Sequence, residues 1–328
     1  MTHQLDVLAI GNAIVDVIAA TDDAFLKAQQ LDKGSMRLID AAEAEALYAK
    51  MGPGREVSGG SGANAAAGMA ALGSKVAFIG RVADDQLGQV FAHDIRAAGV
   101  DYLTPFADNG TPTARCLILV TPDAQRTMNT YLGASQDLTE EDVDYSLVAN
   151  ADITYLEGYL WDPPAPRAAM AKALTVAREA KRRVAFTLSD AFCVERHRDD
   201  FLMLADGKVD VLFANEVEIK SLYQTDDFDA AVRAIQGKLP IAVVTRSEKG
   251  ALVVTQDETI AVPAEPVSHV VDTTGAGDLF AAGFLHGLSQ GRALADCARL
   301  GAIAAAEVIS HYGARPEADL KQLAAQLG

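Results

Sequence analysis

The sequence predicts an α/β fold built on a largely parallel sheet that is covered by helices. Short β-rich runs alternate with longer stretches of helical periodicity, and this alternation favours a sandwich of sheet and helices. Several runs are too apolar to leave one face in water, which is typical of buried parallel strands. The runs are Leu5–Ile10, Lys75–Ile79, Cys116–Val120, Val184–Leu188, Val209–Phe213 and Ile241–Thr245.

The helical stretches are recognised by apolar residues spaced four apart. In the segment Asp85–Ala98, the side chains of Leu87, Phe91 and Ile95 would share one helix face. Such a face would pack on the sheet. The other predicted helices are Pro164–Arg183 and Ala293–Ile309.

One segment breaks the alternation of strand and helix. Thr111–Tyr131 contains two β-like halves around the turn-prone pair Pro122-Asp123, with no helical pattern between them. We interpret it as a hairpin, which among βα units would form a lid or a small second sheet. No internal repeat, Ser/Gly linker or change of composition divides the chain, so residues 1–328 are predicted to form a single domain.

The composition excludes some classes of function. The chain has 328 residues, half of them hydrophobic, and 45 acidic against 28 basic residues give a formal charge of −17. This charge disfavours nucleic-acid binding, which depends on phosphate contacts. The three cysteines form no CxxC pair, no apolar run is long enough to span a bilayer, and the N-terminus lacks a signal-peptide pattern. We therefore expect a cytoplasmic protein without a membrane partner.

The strongest local signal is the glycine-containing segment Asp272–Phe284, which reads DTTGAGDLFAAGF. Its later apolar residues are spaced four apart, so a helix should begin near the two glycines. Gly275 and Gly277 carry no Cβ, and the free N–H groups of a first helical turn attract anions. Asp278 would then accept the proton of an attacking hydroxyl. The alternative is a tight turn in which Asp278 only stabilises the helix start.

A second glycine-rich segment, Ser58–Gly68, reads SGGSGANAAAG. Its glycines allow the backbone to approach a ligand, and Asn64 offers both donors and acceptors to sugar hydroxyls. The alternative is close packing of a helix against a strand. The chain contains no GxxxxGK[ST] loop and no GxGxxG motif in a first βα unit, so a dehydrogenase is only a distant alternative.

Together the two segments resemble the two signatures of the ribokinase-like (PfkB) kinases, and the similarity extends from about Leu5 to Gly313. The resemblance implies a three-layer α/β/α sandwich with a small β-lid, formed by segments near 12–20, 34–40 and 112–133. It also implies phosphorylation of an alcohol by ATP with Mg²⁺. Asp278 would be the general base, and Gly275, Ala276 and Gly277 would form the anion hole.

The resemblance assigns further residues to the site. The substrate would be bound by Asn12, Asp16, Gly59, Gly60, Asn64, Arg126, Leu132 and Tyr159. The nucleotide would be bound by Asn215, Glu218, Thr245 and Gly250, with Glu218 also acting on Mg²⁺ through water. A monovalent cation, K⁺ in some members, would lie near Asp272, Thr274 and Gly313. Ser247 departs from the glycine usual in the nucleotide loop, which leaves the path of that loop open.

Among these kinases, the Gly11-Asn12 pair, the stretch Arg126–Leu132 and the stretch Gly158–Leu160 look most like adenosine kinases. Leu132 and Tyr159 would form an apolar and aromatic wall suited to a purine. We therefore expect adenosine to be phosphorylated to AMP by a monomer or homodimer. The alternatives are a kinase of ribose, fructose or a related sugar, and a non-catalytic nucleoside- or sugar-binding protein.

Overall fold

The computed structural model describes residues 5–123 and 125–327, which form two sheets with helices around them. The larger sheet has nine strands, in the order β14-β13-β12-β11-β10-β9-β1-β5-β6. In the part of the sheet that extends from β12 to β6 in this order, adjacent strands are parallel. Strand β13 is antiparallel to both of its neighbours, β12 and β14. In that order the strands are Thr259–Val262, Ala251–Val254, Ile241–Thr245, Val211–Asn215, Arg183–Thr187, Ile153–Glu157, Val7–Ile10, Val76–Ile79 and Asp101–Tyr102.

Twelve α-helices lie between and after these strands in the described part of the chain. In chain order, α1 to α12 are Asp23–Ala28, Ala41–Tyr48, Ser61–Leu72, Gln86–Ala97, Tyr145–Asn150, Pro164–Glu179, Ala191–Ala205, Glu216–Tyr223, Phe228–Ile235, Ala276–Ser289, Leu294–Val308 and Leu320–Ala324.

The large sheet is buried on both faces. In β1 the side chains of Val7 and Ala9 pack in one hydrophobic cluster, whereas Leu8 and Ile10 pack in another. Alternate residues of a strand point to opposite faces, so the two clusters lie on the two sides of the sheet. The predicted three-layer α/β/α sandwich with a mostly parallel sheet is therefore confirmed.

The second sheet has five strands, in the order β3-β8-β7-β2-β4. In that order they are Met36–Leu38, Arg126–Tyr131, Ala114–Val120, Ile14–Ala20 and Gly54–Gly59. The antiparallel pair β7 and β8 is the hairpin predicted around Pro122-Asp123. The three segments expected to form a β-lid all contribute strands to this sheet, and β4 is a strand that the sequence did not predict. The action of this sheet as a lid stays a prediction.

Several predicted bounds shift by one or two residues, and two elements differ most from the prediction. The helix expected over Pro164–Arg183 ends at Glu179, because Lys181 takes a left-handed φ of 57° and Arg183 already begins β10. The strand expected over Val209–Phe213 lies two residues later and ends at Asn215.

Helices α3 and α10 pack closely through a glycine. A Cβ added to Gly68 would lie 2.5 Å from Leu279 Cδ1 and 2.8 Å from the Ala282 Cβ. These distances are shorter than ordinary contacts between carbon atoms, so only glycine lets the two helices approach this far. The approach matters because both glycine-rich segments supply the N-termini of these two helices.

We predict that Gly68→Ala lowers the free energy of unfolding by about 1–3 kcal/mol, since the added methyl group overpacks the helix interface. Urea unfolding measures this change. Gly52→Ala is the matched control, because a Cβ there would meet nothing closer than the Ala20 carbonyl oxygen at 4.0 Å. Equal stabilities for the two variants would contradict the packing argument.

Candidate active site

The candidate site lies where the parallel strands β1 and β9 end. Chain connections leave this point in opposite directions across the sheet, and such switch points commonly bind ligands. After β1, Asn12 donates from its backbone N and its Nδ2 to the Glu157 carboxylate at 3.2 and 2.7 Å. The backbone N of Gly62 donates to the same carboxylate at 2.7 Å. Glu157 thus joins the end of β9 to β1 and α3.

Glu157 is fully buried, and sequence reasoning did not include it in the site. Burial raises the pKa of its carboxyl to about 7, while the hydrogen bonds from Asn12 and Gly62 oppose the rise. The signal that could have found it is a charged residue closing an otherwise apolar strand run.

Asp278 lies in the first turn of α10, where the predicted helix begins. Its two carboxylate oxygens accept hydrogen bonds from Ser61 Oγ at 2.6 Å and from Asn64 Nδ2 at 2.9 Å. Burial raises the pKa of Asp278, and these two hydrogen bonds and the charge of Arg315 oppose the rise. The structure therefore brings the two glycine-rich segments together at one carboxylate.

The N-terminus of α10 is open above its glycines. Gly275 caps the helix with a left-handed φ of 79°, and a Cβ there would lie 2.7 Å from the Ala314 Cβ. A Cβ on Gly277 would meet no atom within 4 Å. Glycine is therefore required at 275 by the fold, whereas the space at Gly277 is free for a ligand.

Asp16 faces the other glycine pair. A Cβ on Gly59 would lie 2.5 Å from Asp16 Oδ2, and a Cβ on Gly60, at φ 95°, would lie 2.2 Å from the Asn12 carbonyl oxygen. Gly59 is thus needed to make room for the Asp16 carboxylate, and Gly60 to make room for the Asn12 carbonyl group. Burial raises the pKa of Asp16 to about 7, with the charges of Arg315 and Arg126 opposing the rise.

Arg315 is a second residue that sequence reasoning missed. Its guanidinium donates to the Ser58 carbonyl oxygen at 3.0 Å, to Ser58 Oγ at 3.2 Å and to the Ala63 carbonyl oxygen. Burial lowers its pKa to about 10, while the negative charges of Asp16 and Asp278 oppose the fall. It therefore remains a cation at neutral pH and offsets the charge of both acids.

The expected nucleotide residues lie along the same sheet edge. Asn215 ends β11 and is paired in register with Thr245 at the end of β12. Asn215 and Glu218 form a capping box in which the Asn215 backbone N donates to Glu218 Oε2 at 2.9 Å. Burial raises the pKa of Glu218 to about 7, and the charges of Asp190 and Asp278 add to the rise. Glu218 is thus close to other acids as well as capping α8.

This acidic neighbourhood fits Mg²⁺ bound mainly by water and phosphate, which needs only one or two carboxylates. Over the described ranges 5–123 and 125–327, no group of three His, Cys, Asp or Glu side chains is arranged to hold a metal ion by itself.

None of the helices in this part of the chain has the length and apolarity that crossing a bilayer requires.

The loop from Thr245 to Gly250 turns through two residues with positive φ, Ser247 and Gly250. Ser247 adopts a left-handed φ of 51°, which costs a residue other than glycine roughly 1–2 kcal/mol. Gly250 has a φ of 84°, and a Cβ there would lie 2.1 Å from the Val262 carbonyl oxygen. The turn is therefore held by Gly250 and imposed on Ser247.

The expected cation residues and Arg126 meet at one point. Asp272 Oδ1 accepts from the Thr274 backbone N at 3.0 Å and from Thr274 Oγ1 at 2.8 Å, and Asp272 Oδ2 accepts from the Gly313 backbone N at 2.9 Å. Arg126 forms an ion pair with Asp272 and donates to Thr274 Oγ1 at 3.0 Å. Its guanidinium is thus bound to protein.

The proposed purine wall is divided between the two sheets. Leu132 follows β8, while Tyr159 follows β9 and donates from its hydroxyl to the Ser189 carbonyl oxygen at 3.3 Å. Both side chains are partly buried. Their joint role in binding a purine stays a prediction.

An open helix N-terminus beside a partly buried carboxylate suits the transfer of a phosphoryl group to a hydroxyl. The fold and this site define a kinase of small molecules, a phosphotransferase with an alcohol group as acceptor. The chain belongs to the pfkB family of carbohydrate kinases, which matches residues 5–320.

Known proteins resemble the chain along nearly its whole length. A probable sugar kinase from Rhizobium etli CFN 42 is 52% identical, with a TM-score of 0.93 over 99% of this chain and 98% of that one. The adenosine kinase of Sinorhizobium meliloti is 51% identical, with a TM-score of 0.93 over 99% of this chain and 100% of that one. The adenosine kinase of Saccharomyces cerevisiae is 29% identical over 95% of this chain and 96% of its own. Similar proteins are thus described both as adenosine kinases and as a probable sugar kinase.

We predict that stability falls as pH rises from about 4.5 to about 7, and that Glu157→Gln makes this fall shallower. The Glu157 carboxyl has an ordinary pKa of 4.5 and a folded pKa of about 7, so the folded state binds its proton more tightly. The stabilisation is complete at pH values below 4.5 and is lost as the pH rises to about 7. The free energy of unfolding then falls by ~1.4 kcal/mol per pH unit for one fully linked proton.

Urea unfolding across this pH range measures the effect. The raised pKa values of Asp16 and Glu218 also make stability fall as pH rises. Glu157→Gln should therefore lose only part of the slope of stability against pH. Glu45→Gln, at an exposed helix position, is the control and should keep the wild-type profile. An unchanged slope in Glu157→Gln would contradict the assignment.

Proposed function

We propose that the protein transfers the γ-phosphoryl group of ATP to the 5′-hydroxyl of a nucleoside, with adenosine as the acceptor and AMP as the product. The observation that carries this proposal is Asp278, held by Ser61 and Asn64 at the open N-terminus of α10. A hydroxyl next to this carboxylate would face the space over Gly277, where a phosphoryl group fits.

Asp278 acts as the general base. The hydroxyl proton passes to its carboxylate while the hydroxyl oxygen bonds to the γ-phosphorus and the bond to the leaving ADP oxygen breaks. A raised pKa makes Asp278 a better proton acceptor than an exposed aspartate. The hydrogen bonds from Ser61 and Asn64 favour its ionised form and aim both oxygens.

The backbone N–H groups of Gly275, Ala276 and Gly277 stabilise the charge that develops on the transferring group. Gly275 is the N-cap of α10, and Ala276 and Gly277 begin its first turn, where N–H groups lack helical partners and the helix dipole is positive. Outside the helix, the Ala276 backbone N donates to the Thr273 carbonyl oxygen at 3.3 Å. Bound Mg²⁺ would neutralise phosphate charge, and Glu218 with Asn215 would hold it through water.

Ribose hydroxyls would bind on the side of Asp16 and Asn64. Among the described residues, Asn64 Oδ1 is buried without a hydrogen-bond partner, so it is available to accept from a ligand hydroxyl. Asp16 is an acid in a largely apolar strand and gains from the same kind of donor. The purine would lie against Tyr159 and Leu132. The 51% identity to an adenosine kinase supports this choice of acceptor.

The second candidate is a sugar kinase acting on ribose, fructose or a related sugar. It is favoured by the 52% identity to a protein described as a probable sugar kinase, and Asp16 and Asn64 would serve a free sugar equally well. A non-catalytic binding protein is disfavoured, because binding alone needs neither Asp278 nor the open helix N-terminus.

A panel of acceptors with Mg-ATP tests the proposed function. Adenosine, inosine, ribose and fructose are compared by ADP release, and the product is identified by phosphorus NMR. We expect adenosine to have the highest kcat/KM and AMP to be the product. A higher kcat/KM for a free sugar would replace the nucleoside with that sugar, and no turnover of any acceptor would reject the kinase assignment for these substrates.

We predict that Asp278→Asn folds normally but loses roughly 10²–10⁴-fold in kcat, because general-base assistance is removed. The amide keeps the size of the side chain and can still accept from Ser61. Single-turnover phosphorylation and thermal unfolding are measured together. Asp296→Asn, in the first turn of α11, is the control for changing a helix-start carboxylate. Near-normal turnover of Asp278→Asn would remove this residue from the base role.

A further inference from the structure

The loop before the anion hole is organised by one acid. Asp272 holds the backbone N and the hydroxyl of Thr274 with one carboxylate oxygen, and the backbone N of Gly313 with the other. Thr274 immediately precedes Gly275, whose left-handed conformation begins α10. The position of the anion hole therefore depends on the three hydrogen bonds that Asp272 accepts.

The positive charge that balances Asp272 comes from the second sheet. Arg126, the first residue of β8, forms an ion pair with Asp272 Oδ2 and donates from Nη1 to Thr274 Oγ1 at 3.0 Å. The Arg126 side chain is 9% exposed and that of Asp272 is 3% exposed. The Tyr312 ring centroid lies 5.8 Å from the guanidinium carbon. The cation is thus enclosed by protein on several sides.

These residues do not fit a monovalent metal ion in this arrangement. K⁺ would need the oxygens of Asp272 and Thr274, and both are already bonded to Arg126. A second cation beside the permanently charged guanidinium would also be repelled in a poorly solvated site. The cation site implied by the resemblance is occupied here by an arginine side chain.

We propose that Arg126 is a built-in cation that positions the anion-hole loop, so that phosphoryl transfer by this protein does not depend on K⁺; the proposal rests on the proposed kinase function. Arg126 acts through Asp272 and Thr274, and it is therefore a positioning residue. Because it belongs to β8, the same ion pair also ties the second sheet to the loop that begins α10.

A competing role for Arg126 is direct contact with a phosphate of the nucleotide after it leaves Asp272. The two roles differ in what a missing guanidinium changes. Loss of a phosphate contact raises KM for ATP and is indifferent to K⁺. Loss of a built-in cation leaves the Asp272 carboxylate without a balancing positive charge, lowers kcat and thermal stability, and opens the oxygens of Asp272 and Thr274 to a metal ion.

The test compares the full-length wild type with Arg126→Met and Arg126→Lys in buffers of matched ionic strength containing K⁺ or tetramethylammonium. Initial rates and Tm are both measured. We expect K⁺ to change neither value in the wild type. In Arg126→Met, kcat should fall by about tenfold to a hundredfold, less than the loss of a direct oxyanion donor can reach. K⁺ should then recover part of both kcat and Tm.

Two further variants sharpen the result. The double variant Arg126→Met with Asp272→Asn removes both charges of the ion pair. It therefore contains no unbalanced carboxylate, and we expect it to fold and to lose the response to K⁺. Arg37→Met, on the neighbouring strand β3, removes an arginine that bonds to Asn129 and Glu43 instead, and it should behave as wild type.

Saturable activation of the wild type by K⁺ would overturn the proposal, and this measurement does not require any variant to fold. A higher KM for ATP in Arg126→Met, with kcat, Tm and the absence of a K⁺ response unchanged, would assign Arg126 to the phosphate instead. If no acceptor is phosphorylated, the kinase proposal fails, whereas the Tm comparison still tests whether Arg126 fills the place of K⁺.

Discussion

The constraint on which the site depends is the burial of the Glu157 carboxylate. A carboxyl group without solvent must find hydrogen-bond donors, and Glu157 finds them in Asn12 and Gly62. A Cβ on Gly11 would lie 2.3 Å from its Oε2, and a Cβ on Gly62 would lie 2.9 Å from the same atom. Both glycines are therefore explained by an internal acid, independently of any ligand. The fixed N-terminus of α3 follows from this arrangement.

With α3 fixed, two segments far apart in sequence form one site. Asn64 and Asp278 are 214 residues apart, yet their side chains are hydrogen bonded because α3 and α10 pack through Gly68. Arg315 bonds to the carbonyl oxygens of Ser58 and Ala63, just before and within the start of α3. The Asp278 carboxylate is thus aligned by packing, hydrogen bonding and charge that come from separate parts of the chain.

Local patterns in the sequence were enough to predict the elements that position Asp278. The start of α10 follows from two glycines and an apolar stripe, and the hairpin follows from its turn residues. Glu157 and Arg315 escaped prediction because their partners are distant: Glu157 bonds to residues 145 and 95 positions away, and Arg315 to one 257 positions away. The strand Gly54–Gly59 was missed because its exposed, charged first half lacks an apolar alternation.

The same distant contacts explain how a strongly acidic chain could hold a triphosphate. Asp16, Glu157 and Glu218 each have a pKa raised to about 7, mainly by burial, so the site is less negative near neutral pH than its sequence suggests. Two arginines reduce the negative charge further, the partly buried Arg315 beside Asp16 and Asp278, and Arg126, whose side chain is 9% exposed, beside Asp272. The remaining positive potential comes from the backbone at the start of α10. An anion would therefore be bound by the local arrangement of dipoles and internal cations, despite the negative net charge of the chain.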